Sequence, residues 1–121
     1  MPGQVSDYDL EQLHAFRKVF LGSLELFLQR GEESFCPDSL AETLEGHKTR
    51  PQALDAVRWC LLGACNKILY PYTGVVELYR FMADVFAKPF FSPGTYKECL
   101  EQLTELLATV DTMLEDRGDK W

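Results

Sequence analysis

The chain has 121 residues, of which 19 are acidic and 12 are basic, so its net charge near pH 7 is −7. A chain of this length is expected to form one domain over residues 1–121, with one hydrophobic core that needs neither metal nor disulfide. The negative charge argues against direct nucleic-acid binding, because few basic side chains are available to displace counterions from phosphates. It favours a protein partner with a basic surface.

The sequence carries no signal for export or membrane insertion. No apolar run reaches the ~18 residues of a transmembrane helix, and the start MPGQVSDYDL lacks the basic and apolar regions of a signal peptide. We therefore expect a cytoplasmic protein. Its four cysteines include no C-x-x-C pair, so neither a disulfide framework nor a metal site is predicted, and no cofactor motif is present.

Apolar residues in the first part of the chain recur at helical spacing. Ser6 followed by Asp9 is typical of a helix start, and Gly31 is a natural stop. The apolar stripe of this first helix consists of Leu10, Leu13, Phe16, Phe20, Leu24 and Phe27. The polar stretch that follows predicts a turn at 36–39 and then a short helix through Leu44.

The middle of the chain predicts a central buried helix over about 51–70. Thr49 and Pro51 are typical of a helix start, and the residues after them are apolar around most of the helical circumference. The predicted buried stripe consists of Leu54, Val57, Leu61, Ala64 and Ile68. Gly63 and the alanine after it would let a neighbouring helix approach closely.

The last third of the chain predicts two further amphipathic helices. One begins at 73–74 and ends near 88–89, and the other follows the capping pair Thr95 and Glu98 and continues to Gly118. The predicted fold class is therefore all-α. The expected architecture is a compact bundle of four main helices plus a short helix, with no strongly indicated strand.

Three features between Leu24 and Leu69 follow one another in a recognisable order. They are a Gly-aromatic-Cys stretch after a helix, a polar segment with a glycine, and a helix that opens with AVRWCLLGA; here these are Gly31, Phe35 and Cys36, then Gly46, then residues 56–64. This order resembles a family of small bacterial and phage proteins of unknown function. The resemblance implies a bacterial or phage setting and no particular chemistry.

Cys60 is the sharpest candidate nucleophile, because Arg58 lies close to it in sequence. Cysteine catalysis also needs a base, and His47 would supply one if the fold brought it to Cys60 or Cys36. A metal site built from these residues and Cys99 lacks the usual ligand spacing. The simpler interpretation is that the thiols are packed core residues.

The sequence favours a non-enzymatic protein that acts through protein–protein contact. The candidate interface anchors are Phe90 and Phe91, held between prolines, and Tyr72; the alternative is that the two phenylalanines plug the core. An acidic patch that would steer a basic partner consists of Glu32, Glu33, Asp38, Glu42 and Glu45. The resemblance implies a narrower version, a phage or mobile-element accessory protein that inhibits a host defence complex.

Two alternatives remain open at this point. One is a cysteine-dependent enzyme that uses Cys60 or Cys36 with a histidine. The other is a homodimer formed through leftover apolar surface on the first helix, on the side of Phe20, Leu21 and Leu28.

Overall fold

The computed structural model describes residues 8–69, 74–87 and 93–118. Over these residues the chain is mostly helical with a small two-stranded sheet. The elements in order are α1 Leu10–Arg30, a 3-10 turn Glu32–Ser34, β1 Ala41–Thr43, β2 Ala56–Trp59, α2 Leu61–Leu69, α3 Val75–Phe86 and α4 Tyr96–Asp116. None of the helices in the described ranges is long and apolar enough to cross a membrane.

Local signals in the sequence set the ends of α1. The Asp9 carboxylate accepts the Gln12 backbone N–H at 2.8 Å, and the Gln12 side chain accepts the Asp9 N–H at 3.1 Å. The predicted cap at Ser6 lies outside the described residues. The helix ends at Gly31, whose φ of +79° favours glycine, so the predicted stop is confirmed.

The core lies between α1 and the other helices. α1 packs against α4 and α2, and Arg17 on α1 donates its Nε–H to Asp111 on α4 at 2.8 Å. The rings of Phe16 and Phe81 meet at a centroid distance of 4.9 Å, joining α1 to α3. The predicted cap of α4 is confirmed, because the Thr95 hydroxyl accepts the Glu98 N–H at 3.1 Å.

The prediction of one central helix over 51–70 is wrong in its first half. Residues Ala56–Trp59 form β2, which pairs antiparallel with β1, and on its other edge Trp59 O accepts the Cys36 N–H at 3.0 Å. Leu54, assigned to the buried stripe, is fully exposed. Short apolar runs fit a strand as well as a helix, and here neighbouring backbone supplies the hydrogen bonds.

The prediction of a short helix through Leu44 is also wrong, because this part of the chain forms a hairpin. The Thr43 N–H donates to His47 O at 2.9 Å, and the Thr49 N–H donates to Ala41 O at 3.0 Å. Thr49 therefore extends the small sheet rather than capping a helix.

Candidate functional site

A β-bulge in β2 shapes one wall of a surface groove. Glu42 pairs with Arg58, whereas the next residue of β1, Thr43, pairs with Ala56, so that Val57 is an extra residue in β2. Bulges re-aim the side chains of the strand that carries them. Consistent with this, the consecutive side chains of Val57 and Arg58 both line the same groove.

The groove lies between the C-terminal end of α1 and the small sheet and has a volume of about 270 Å³. We call it the arginine groove. Its lining residues are Arg30, Glu33, Ser34, Leu44, Val57 and Arg58.

The guanidinium of Arg58 is fixed from behind by three hydrogen bonds. Its Nε–H donates to Glu42 Oε1 at 3.2 Å, and Nη2 donates to Thr43 O at 2.8 Å and to Leu44 O at 3.1 Å. The Arg58 side chain remains 26% exposed, and among the described residues no acceptor contacts Nη1. Arg58 therefore presents free donors in a fixed orientation.

Arg30, in the last turn of α1, is held by an aromatic ring. Its guanidinium carbon lies 5.5 Å from the centroid of the Trp59 ring, within cation–π range, and the Lys67 ammonium lies at the same distance. The ring itself is fixed, because Trp59 is buried and its Nε1–H donates to Pro51 O at 2.9 Å. Within the described ranges, Arg30 forms no ion pair.

The five predicted acidic residues do not form one uniform patch. Glu42 is paired with Arg58, and Glu33 shares the groove with both arginines. The remaining three, Glu32, Asp38 and Glu45, are exposed. Two guanidiniums thus interrupt the acidic surface.

Sequence reasoning missed the arginine groove, although weak signals were present. Arg30 directly precedes the helix stop at Gly31 and belongs to no motif in the sequence. Arg58 is the single charge in the apolar segment 56–65, and was considered only as a neighbour of Cys60. A lone charge in a half-buried strand is a signal for a paired or functional side chain.

The predicted aromatic anchors Phe90, Phe91 and Tyr72 lie outside the described residues. On the predicted homodimer surface, Phe20 is fully buried in the core, whereas Leu28 is 59% exposed. Large apolar side chains are also exposed near the small sheet, at Leu40, Leu44 and Leu54.

The structure brings Cys36 and Cys60 together but does not bring His47 to them. Burial raises the pKa of Cys36 to about 11, and Glu42 and Cys60 add to the shift. His47 lies in the exposed hairpin and is not among the groups that shift this pKa. Cys60 Sγ accepts the N–H of Gly63 at 3.3 Å, so Cys60 caps the start of α2.

The other two cysteines lie deeper in the core. Cys65 and Cys99 are fully buried, and burial raises the pKa of Cys65 to about 12 and also raises that of Cys99. Over residues 8–69, 74–87 and 93–118, no group of three or more His, Cys, Asp or Glu side chains is arranged to hold a metal ion.

No protein-family model, curated protein or solved structure matches the chain. The resemblance to the small bacterial and phage proteins therefore stays a prediction. Its most specific element, residues 56–64, was expected to open a helix. In the structure this segment is β2 followed by Cys60 and the first turn of α2.

Proposed function

We propose that the protein is a non-enzymatic binding protein that acts through protein–protein contact at the arginine groove. The observation that carries the proposal is the pair of guanidiniums, each restrained by its own neighbours, on the wall of one surface groove. Arginine is enriched at energetically dominant positions of protein interfaces. Leu44, which is 73% exposed on the same groove, adds apolar surface that water does not favour.

The exposed carboxylates of the protein, together with the two arginines of the groove, favour a protein partner that carries both basic and acidic side chains. Exposed carboxylates of Glu32, Asp38 and Glu45 would attract basic side chains at the rim and would repel nucleic acid. All four cysteines are free and buried, which fits a reducing compartment and supports the proposal of a cytoplasmic protein. The narrower proposal, a phage or mobile-element protein that inhibits a host defence complex, rests on the resemblance alone.

Affinity isolation from the source cells, followed by reconstitution, tests the binding function. The tagged protein is incubated with lysate at several salt concentrations, and each recovered protein is purified and titrated against it by calorimetry. We expect at least one partner that forms a stoichiometric complex with the purified protein. Recovery of no partner that reconstitutes, at any salt concentration, would contradict the proposal.

The cysteine-dependent enzyme remains the second candidate, because one observation favours it. Cys60 Sγ accepts the backbone N–H of Gly63 at 3.3 Å, which places this sulfur at the N-terminus of α2. Timed alkylation by iodoacetamide near pH 7, with each modified cysteine mapped by mass spectrometry, tests this candidate. A fast reaction at Cys60 alone would support it, and four slowly reacting thiols would exclude it.

A further inference from the structure

We propose that the arginine groove binds a carboxylate side chain next to an aliphatic residue, presented by a peptide segment of the partner protein. The proposal rests on the binding function argued above and specifies what that function recognises. It follows from the donors that remain unused in the groove, from the charges beside them, and from the apolar residues on the same wall.

The unused donors suit a carboxylate. Arg58 presents Nη1 in an orientation fixed by the carbonyls of Thr43 and Leu44, and Arg30 presents its guanidinium from the Trp59 ring. Arg30 can bind a carboxylate through paired, charge-assisted hydrogen bonds, whereas Arg58, whose Nε and Nη2 are already used, adds single hydrogen bonds from Nη1. Because both groups are restrained before the partner arrives, binding loses less side-chain entropy than it would with mobile arginines.

The negative charges favour a carboxylate over a phosphate. Glu33 lines the groove, and Glu42 contacts Arg58 from behind, so two carboxylates already accompany the two guanidiniums. A singly charged carboxylate meets less repulsion from Glu33 than a phosphate, which carries nearly two charges near pH 7. The same repulsion disfavours a phosphorylated segment or a nucleic-acid strand.

The groove is of a size that fits one acidic side chain and an aliphatic neighbour. Its volume of about 270 Å³ lies near the lower end of the ~300–1,000 Å³ that is typical of ligand pockets. Val57 and Leu44 lie on the same groove as the arginines and can cover an aliphatic side chain next to the carboxylate.

Peptide selection tests the chemistry of the occupant. A display library of random short peptides is selected on the wild-type protein and then counter-selected on Arg30→Gln. We expect enrichment of Asp or Glu next to Leu, Ile or Val. Failure to enrich any sequence, or enrichment of basic sequences, would overturn the proposal.

A selected peptide is then synthesised with its acidic residue, with the matching amide, and with phosphoserine, and its affinity is measured by fluorescence anisotropy. We expect the amide peptide to bind the wild-type protein about tenfold or more weakly than the acidic peptide. The acidic peptide should bind the Arg30→Gln protein about tenfold or more weakly than wild type, and should bind the Glu33→Gln protein more tightly. Arg50→Gln removes an exposed arginine outside the groove and should leave the affinity unchanged. Thermal unfolding confirms that each variant is folded.

The outcomes separate this inference from the binding function. Tighter binding of the phosphoserine peptide, or equal binding to wild type and Arg30→Gln, would refute a carboxylate site in the groove. If cellular partners are recovered while the peptides give one of these results, the binding function stands and its surface lies elsewhere. If no cellular partner is recovered either, both proposals fail.

Discussion

Replacing Gly63 by alanine tests how tightly α2 is joined to the small sheet. A Cβ at this position would lie 1.7 Å from the carbonyl oxygen of Leu40 and 2.7 Å from its carbonyl carbon. The shortest ordinary C···O contact is ~3.3 Å, so the backbone must separate by about 1.6 Å. Because both sides of the contact are backbone, no side-chain rotation can relieve it.

The magnitude follows from two opposing effects. Alanine gains about 1 kcal/mol over glycine in helix propensity. Overpacking that shifts backbone typically costs about 1–3 kcal/mol and occasionally more, and a displacement of this size belongs at the upper end of that range. We therefore expect Gly63→Ala to lower the free energy of unfolding by about 2 kcal/mol or more, measured by urea denaturation followed by circular dichroism.

Gly22→Ala provides the matched control. Its added Cβ would lie 3.0 Å from Ile68 Cγ2, the methyl of a side chain that can rotate, and Gly22 is in the interior of α1. The propensity gain should then dominate, giving a change between about zero and 1 kcal/mol of stabilisation. Wild-type stability for Gly63→Ala, or an equal loss for both variants, would refute the reasoning.

Three further predictions concern the end of β2 and the residues next to it. Cys60→Ser keeps an N-cap acceptor for the Gly63 N–H, whereas Cys60→Ala removes it. The Cys60→Ala protein should therefore be less stable than the Cys60→Ser protein by about 1 kcal/mol in urea unfolding, and equal stability would contradict the cap. Trp59→Phe removes the donor to Pro51 O and should lower the free energy of unfolding by about 1–3 kcal/mol; wild-type stability would contradict a role for this hydrogen bond. The pKa of Cys36 is raised from 9.0 to about 11, so its contribution to stability is complete below pH 9 and is lost as pH rises towards 11. The loss should approach ~1.4 kcal/mol per pH unit for this thiol, and an unchanged slope in Cys36→Ala would refute the assignment.

The predictable part of the fold consists of the long helices with their own end signals. α1, α3 and α4 each carry an apolar stripe at steps of three or four residues. Gly31 ends α1, and Thr95 begins α4 as expected. These signals are local, because each depends on residues within one or two helical turns.

The small sheet could not be predicted because its stability depends on residues that are distant in sequence. Ala56–Trp59 carries only four residues, and their apolar pattern also fits a buried helix. The strand forms because β1 and Cys36 supply backbone partners on its two edges. The apolar pattern alone therefore fits a helix, whereas the backbone partners on both edges make this segment a strand.

The arginine groove was hidden for a related reason. Arg30 and Arg58 line one groove only after the hairpin places β2 beside the end of α1, and the bulge at Val57 depends on the register with β1. No spacing rule in the sequence links these residues. The sequence instead indicated aromatic residues next to prolines and clustered acidic residues, because these features can be recognised without knowing the three-dimensional arrangement.

The contact at Gly63 couples the core to the groove, and this coupling can be measured without any ligand. Leu40 directly precedes β1, and two carbonyls at the end of that strand, those of Thr43 and Leu44, hold the Arg58 guanidinium. Moving β1 away from α2 should loosen these hydrogen bonds even though no groove residue is changed. We therefore expect the Arg58 Nε–H of folded Gly63→Ala protein to exchange faster with water in NMR spectra than in wild type.

Gly22→Ala leaves β1 in place and should keep the wild-type exchange rate at Arg58. Faster exchange in both variants would indicate general loosening of the fold rather than a path from Gly63 through β1. Unchanged exchange in Gly63→Ala would mean that the hairpin absorbs the displacement before it reaches the groove. Because Gly63 contacts neither arginine guanidinium in the described structure, a selective effect at Arg58 must pass through intervening backbone, either β1 or the short segment that leads from β2 into α2.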